Sequence, residues 1–532
     1  MITFDDVTIR HPGAQAPTLS HLDFTIPDGD LCLVVGRTGT GKSTMLGAIN
    51  GLVPHFTGGH LTGEVRVGER STRTHRPREM ADLVGYVGQN PLAGFVTDRV
   101  EDEVAYGMEQ LGLSPQAMRK RVEETLDIMG IAQLRRRPLI ELSGGQQQRV
   151  AIAAVLAAQP RVVVLDEPTS ALDPTAAQDV LASITTLVHE VGLTVVLAEH
   201  RLERVMHAAD SVLWLPGDGS AQLGPASAVL ARADVVPPLS ALARVLDWPE
   251  VPLSVRDARR RVRAEQITLR ELPPEPSQPD GEPVARIEKL RVAYDELVAV
   301  NNLSLTFRRG SVTALMGRNG AGKSSLMWAL QGATLSTGLL QIDGQDPRSL
   351  GAARAREVVS LVPQNATDLL YLPTVGQECA QADRETGSPA GTTVGILAEL
   401  GASLDPERHP RDLSEGQRLA LVLAIQLSAR PALILLDEPT RGLDYAMKQH
   451  LQRIVDALAA EGSCILISTH DVEFAAAVSQ RTIVMADGDV VADGPTREVC
   501  TSSPTFAPQV SKIFHPTELL TPDEVARAVR HD

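Results

Sequence analysis

The run Gly36, Arg37, Thr38, Gly39, Thr40, Gly41, Lys42, Ser43 returns 281 residues later as Gly317, Arg318, Asn319, Gly320, Ala321, Gly322, Lys323, Ser324. Both copies fit G-x-x-x-x-G-K-[ST]. Each follows a short apolar run, Leu31 to Val35 or Val312 to Met316, and opens a stretch of helical character, Thr44 to Ile49 or Ser325 to Leu330. Strand, glycine-rich loop and helix in that order turn successive backbone N–H groups toward a polyphosphate at a helix N-terminus. Lys42 or Lys323 then reaches its terminal phosphates, and Ser43 or Ser324 offers a hydroxyl to Mg²⁺. One match arises by chance, but two in register with further motifs do not. The chain is thereby constrained to two α/β units of the P-loop type, fused head to tail by an internal duplication.

The register extends along both halves. Gln89 and Gln364 are 275 apart, Ser143 and Ser414 are 271 apart, and His200 and His470 are 270 apart. The runs Val162 to Leu165 and Leu433 to Leu436 are apolar throughout, as suits parallel strands buried on both faces. They end in the acidic pairs Asp166, Glu167 and Asp437, Glu438. Carboxylates leaving such a strand lie at the carboxyl edge of the sheet, where α/β folds bind ligands. Asp166 and Asp437 are assigned to the Mg²⁺ shell, and Glu167 and Glu438 to orienting and deprotonating an attacking water.

Between these motifs stand Leu142, Ser143, Gly144, Gly145, Gln146 and their counterparts Leu413, Ser414, Glu415, Gly416, Gln417. This pentapeptide resembles the signature of ATP-binding cassette (ABC) ATPases, and the resemblance covers residues 1 to about 232 and about 284 to 505. It implies two tandem P-loop ABC ATPase domains of the α/β class, each with a mostly parallel core sheet, an antiparallel β subdomain and a helical subdomain. It further implies ATP as substrate, Mg²⁺ as cofactor, and nucleotide contacts from both loops through Thr44 and Ser325 and from both signatures. The signature of one half is implied to close over the nucleotide on the phosphate loop of the other. Gln89 and Gln364 match the glutamine that touches Mg²⁺ and senses the membrane partner, and His200 and His470 match the switch histidine at the γ-phosphate. Ser170 to Asp173 and Arg441 to Asp444 match the loop that crosses between the halves.

Two departures are informative. Tyr294 occupies the adenine-stacking position of the second half, whereas alignment of the following strands puts His11 there in the first. Glu415 replaces the first signature glycine, which adds a carboxylate near the phosphates of the site built on Lys42 and Ser414. The two sites are therefore expected to turn over unequally, with that site the slower.

Wording in the first half narrows the resemblance. Asn50 to Phe56, Gly85 to Pro91, Phe95 to Asp98, Val104 to Gly107 and Ala198 to Arg204 look like the tandem ATPase of energy-coupling factor (ECF) importers of vitamins and metals. That resemblance implies a transmembrane coupling subunit, a small membrane substrate-binding subunit and a place on the cytoplasmic face of the membrane. The ATPase of another ABC transporter, importer or exporter, shares the same catalytic motifs. A soluble ABC protein acting on ribosomes or DNA is a third reading.

The formal charge of −16 argues against general nucleic-acid binding, which needs clustered Lys and Arg. No apolar run approaches the roughly 18 to 20 residues needed to span a bilayer, and Met1 to Asp6 lacks the pattern of a secretory signal. Cys32, Cys379, Cys464 and Cys500 show no C-x-x-C spacing and are expected to be reduced thiols. The expected division is a first ABC domain over 1–232, a Pro/Arg-rich linker over 233–283, a second domain over 284–505 and a tail over 506–532. The linker carries Arg256, Arg259, Arg260, Arg261 and Arg263, expected on a solvated helical face, with Pro273, Pro274, Pro276 and Pro279 beyond them. The second half lacks six residues between phosphate loop and Gln364, placed opposite Val53 to His60, and four more in the helical subdomain. Thr521, Pro522 and Glu524 predict a capped helix near 522–530, with Glu524 closing a capping box.

Overall fold

The computed structural model describes residues 1–169, 172, 174–270 and 281–529. Ser170, Ala171 and Asp173, and the linker prolines Pro273, Pro274, Pro276 and Pro279, lie outside the described residues. Contacts divide the chain into two compact units, Met1–Ala258 and Arg259–Asp532.

In the first unit the strands are β1 (Ile2–Arg10), β2 (Leu19–Ile26), β3 (Leu31–Val35), β4 (His60–Val67), β5 (Arg70–Ser71), β6 (Val84–Val87), β7 (Val162–Asp166), β8 (Thr194–Ala198), β9 (Ser211–Trp214) and β10 (Gln222–Pro225). They form an antiparallel sheet β2-β1-β4-β5 and a core sheet β10-β9-β3-β8-β7-β6. The core sheet is parallel apart from β9 with β10. Strands β3, β7 and β8 are buried at every position, which is why their sequences are apolar without alternation. Strand β1 alternates instead, and its period slips at Asp5 and Asp6. Asp6 takes φ 45°, and the pairing with β4 shifts there. This bulge keeps Phe4 and Val7 both in the core. Met45, Leu46 and Ile49 of the helix Lys42–Ile49 fill the same core.

The second unit repeats the plan with β11 (Pro283–Tyr294), β12 (Leu297–Arg308), β13 (Val312–Met316), β14 (Ser336–Ile342), β15 (Val359–Val362), β16 (Leu433–Asp437), β17 (Cys464–Ser468), β18 (Arg481–Ala486) and β19 (Asp489–Pro495). Its sheets are β12-β11-β14 and β15-β16-β17-β13-β18-β19. Even the bulge recurs, at Lys289 with φ 50° and a shift between Ile287 and Leu290. The helices behind the phosphate loops span Lys42–Ile49 and Lys323–Gln331, so each starts two residues before the predicted helical stretch. The lysine itself is the first helical residue, following a left-handed Gly41 or Gly322.

Length differences between the halves fall in two places. Ten residues join Ile49 to His60, against four from Gln331 to Ser336, which accounts for the six-residue gap. In the helical regions, Val100–Gln110 is matched by Val375–Thr386, but Pro115–Ile128 is matched by the shorter Thr392–Glu399.

Residues 233–258 pack within the first unit through the helix Pro238–Val245 and the buried Trp248 and Val251. The helix Val255–Ala264 carries the arginine run; Arg256, Arg260 and Arg263 are exposed, and Arg261 pairs with Glu265 at 2.8 Å. Arg259 donates to the Lys512 carbonyl, and Arg270 N–H donates to the Ala528 carbonyl at 2.8 Å. The C-terminal helix spans Pro522–Ala528 with Thr521 as N-cap. Glu524 does not close a capping box on Thr521. It accepts instead from the Leu520 N–H at 2.5 Å and from Arg497 at 2.8 Å, because that guanidinium offers a charge-assisted partner for a buried carboxylate. All four cysteines are buried and none is in a disulfide, and burial pushes the Cys32 and Cys464 thiols up to about 12. Among the described residues no helix is long and apolar enough to cross a membrane.

Candidate functional site

Each phosphate loop runs from the end of a buried strand into a helix, and in each the lysine ammonium folds back over its own loop. Lys42 Nζ donates to the carbonyls of Gly36 at 2.9 Å and Arg37 at 3.0 Å. Lys323 Nζ does the same to Gly317 at 2.9 Å and Arg318 at 3.1 Å. These bonds draw the ammonium onto its own loop, ahead of a helix N-terminus of the kind that receives anions. Gly322 shows how closely the loop is built. Its φ is +98°, and a Cβ there would lie 2.1 Å from the Ala299 carbonyl oxygen, a backbone atom. Gly320, at φ +82°, has nothing within 4 Å of that point. We therefore expect Gly322→Ala to destabilise the second unit beyond the roughly 1 to 3 kcal/mol of a left-handed non-glycine residue, and Gly320→Ala by that amount alone. Thermal unfolding of the two variants checks this, and equal melting temperatures would contradict it.

The acidic pairs lie at the carboxyl ends of β7 and β16. Asp166 and Asp437 are buried and raised above the usual carboxylate range by that burial, against the opposing hydrogen bonds of Ser43 and of Ser324 and Ser468. Oδ1 of each is buried without a hydrogen-bond partner. An orphaned carboxylate oxygen beside a serine hydroxyl is a hard-oxygen donor set that fits Mg²⁺. Glu167 and Glu438 adopt φ 52° and 51°, left-handed conformations that cost of order 1 to 3 kcal/mol each. The strain is held by N–H bonds at 2.9 Å from Glu167 to Ala198 and from Glu438 to Ser468 on the next strand. It aims both carboxylates at His200 and His470. His200 Nε2 lies 2.7 Å from Glu167 Oε1, and His470 Nδ1 lies 2.6 Å from Glu438 Oε2.

The glutamines differ between halves. Gln89 Nε2 donates to Glu167 Oε1 at 2.9 Å, so the first half joins glutamine, glutamate and histidine. Gln364 lines a cavity of about 290 Å³ that also touches Glu438, Glu415, Arg418 and Arg441.

The signature residues have a local explanation. Ser143 Oγ accepts from Gln146 N–H at 3.4 Å while Gln146 Oε1 accepts from Ser143 N–H at 3.0 Å. Ser414 and Gln417 repeat the box at 3.3 and 3.0 Å. Serine and glutamine three apart thus cap the helices Gly144–Leu156 and Glu415–Leu427. Gly145 sits against Ala176 and Gly416 against Met447, so both lie where a helix packs closely. Glu415 lies over Gly442, where a Cβ would come within 2.1 Å of its Oε2.

His11 Nε2 is 3.0 Å from the hydroxyl of Thr44, in the first turn of the helix behind the phosphate loop. Tyr294, in the corresponding place, is half exposed. Two residues beside the site were not anticipated. Asp234 binds Arg37 of the phosphate loop at 2.7 Å and the Trp214 indole N–H at 2.9 Å. Glu199 is buried beside His200 and bonds the Thr169 N–H at 2.8 Å. A charged residue directly after the apolar β8 was the available signal for Glu199; Asp234, almost two hundred residues from Arg37, gave none.

Fold and site together define a tandem P-loop nucleotide-hydrolysing protein. Residues 19–170 and 300–441 match the family model described as ABC transporter. A protein of Streptomyces avermitilis that carries the provisional name ABC transporter ATP-binding protein is 51% identical, covering 99% of this chain and 100% of its own. One of Methanosarcina acetivorans with the same provisional name is 32% identical over 94% of this chain and 85% of its own. The chain belongs to the ABC transporter ATP-binding family and is an ATP-hydrolysing enzyme. Among solved structures, the archaeal ribosome recycling factor aABCE1, in complex with ribosomal stalk protein aP1, is similar with a TM-score of 0.61 and 21% identity, covering 93% of this chain and 91% of its own. RNase-L Inhibitor is similar with a TM-score of 0.60 and 20% identity, covering 94% of this chain and 92% of its own. At these identities the likeness concerns the fold.

Proposed function

We propose that this chain is the energy-coupling subunit of a membrane transporter, most specifically an ECF-type importer of a vitamin, a vitamin precursor or a metal ion. The observation that carries the reading is a glutamate–histidine pair at the carboxyl edge of each core sheet, in a chain whose relatives along its full length carry the name of transporter ATPases. In this reading Lys42 and Lys323 hold the β- and γ-phosphates, and His11 and Tyr294 lie against adenine. Ser43, Gln89 and Asp166, with Ser324, Gln364 and Asp437, hold Mg²⁺, which when bound neutralises charge developing on the phosphates. Glu167 or Glu438 accepts a proton from water as its oxygen attacks the γ-phosphorus and the bond to the β-phosphate oxygen breaks, giving ADP and phosphate. His200 and His470 hold the same carboxylates and the γ-phosphate in register. The two halves pair within one chain around ATP and separate after hydrolysis.

The ECF reading draws support from the first-half wording and from different exposed apolar residues in the two halves. Phe56, Leu92 and Val96 are exposed in the first half, Leu335 and Tyr371 in the second. Such surfaces suit an asymmetric membrane partner on the cytoplasmic face, with a small substrate-capture protein beside it. Affinity purification of the full chain from native membranes in mild detergent, followed by mass spectrometry, is expected to recover one coupling subunit and one small membrane protein. Conventional permease subunits would move the assignment to another ABC transporter, and ribosomes to a translation factor; either overturns the ECF reading and leaves the ATPase intact.

A further inference from the structure

The scheme above gives no task to Glu199, a buried acid beside the first site. Glu199 is 4% exposed and immediately precedes His200 at the end of β8. Its Oε1 accepts from the Thr169 N–H at 2.8 Å and its Oε2 from the His200 N–H at 3.2 Å. Thr169 stands two residues after Glu167, and its carbonyl faces Arg204 Nη1 at 3.5 Å. Burying a carboxylate is costly unless donors compensate it, and donors to an ionised group form the stronger class of hydrogen bond. Burial pushes the Glu199 carboxyl up, and the Thr169 donors and the Arg204 charge pull it back.

The second half is wired otherwise. Thr469 takes the place of Glu199; its hydroxyl accepts from the Asp471 N–H at 3.0 Å and meets the Thr440 hydroxyl at 3.5 Å. The joint there is a buried ion pair, Lys448 with Asp471 at 2.6 Å. Ala177 and Arg201 occupy those two places in the first half. A carboxylate therefore ties the segments after β7 and β8 in the first unit, whereas in the second those segments meet through the Thr440 and Thr469 hydroxyls and the ion pair joins Asp471 to the helix Tyr445–Ala460.

We propose that Glu199 is a positioning residue of the first site: its carboxylate ties the backbone after Glu167 to the backbone of the switch histidine and so keeps Glu167 and His200 in register. The inference rests on Glu167 and His200 acting at that site. Glu199 acts through Thr169 and His200.

The test uses the full chain as wild type, Glu199→Thr, Glu199→Gln and Glu167→Gln. Azido-ATP photolabelling, without and with orthovanadate, separates binding from turnover, and peptides of residues 1–258 and 259–532 report each half. Hydrogen exchange at the Thr169 amide reads the tie directly. Glu199→Thr, which installs the residue of the second half, is expected to lower vanadate-trapped label on the first half about tenfold, about 1.4 kcal/mol, while label without vanadate stays within about twofold. Exchange at Thr169 rises and exchange at Thr440 does not, and Glu199→Gln, which keeps one acceptor oxygen, lies between. Unchanged Thr169 exchange overturns the proposal, as does binding label lost in parallel with trapping. If Glu167→Gln also leaves first-half trapping unchanged, the failure belongs to the reading of the site itself.

Discussion

The full chain carrying Glu167→Gln and Glu438→Gln together is expected to bind ATP and not turn it over. Glutamine is nearly the size of glutamate and keeps an oxygen to accept from Gln89 in the first half. The backbone bonds at 2.9 Å to Ala198 and Ser468 that hold the strained φ do not involve the side chain. What is lost is the acceptor for the proton of the attacking water, and a positioned general base is worth roughly 10²- to 10⁴-fold in rate. Phosphate release is expected to fall by that amount in the double variant while equilibrium binding of ATP stays within about threefold, since the phosphate loops are untouched. Residual release near the wild-type rate would show that neither glutamate is the base. The single variants are expected to be unequal. The Lys42 site has His11 where the other has Tyr294, so Glu167→Gln removes the slower share and costs less than Glu438→Gln. Equal losses would count against this asymmetry.

What was legible in the sequence followed from local chemistry. A continuous apolar run ending in two acids locates a buried parallel strand and its carboxyl edge, and β7 and β16 sit where that logic puts them. Serine and glutamine three apart form a capping box in both signatures, a local pattern that was present in the sequence and was read there only as a family motif. Differences in spacing located the ten-residue and four-residue connections without any knowledge of their shape. What was illegible depended on partners distant in sequence. Glu524 had a sound local reading as a cap, and Arg497 drew it elsewhere. Asp234 meets Arg37 only because β9 carries Trp214 beside β3, and no local pattern encodes that neighbour.

The second large effect is expected from Lys42→Ala with Lys323→Ala. Lys42 and Lys323 are each 7% exposed, and each ammonium donates to two carbonyls of its own loop while its charge acts on Asp166 or Asp437. Carbonyl oxygens stabilise the charge less than a polyphosphate would, so the lysine can exchange weak local acceptors for strong ionic ones when ATP enters. Alanine removes that exchange. Hydrogen bonds to a charged group contribute about 1.5 to 3 kcal/mol, so each site is expected to weaken about 10- to 150-fold. The fold is expected to survive, because both positions are the first residue of a helix and alanine is the best helix former. Melting temperature without nucleotide is therefore the control. It is expected to change little, while the increase that ATP confers on the wild type disappears, since a ligand stabilises only what it binds. A double variant that still gained stability from ATP would show that the loops hold phosphate through their N–H groups alone, with the lysines serving hydrolysis. Persistent ATP-dependent uptake in membranes carrying that variant would go further and separate transport from these two sites.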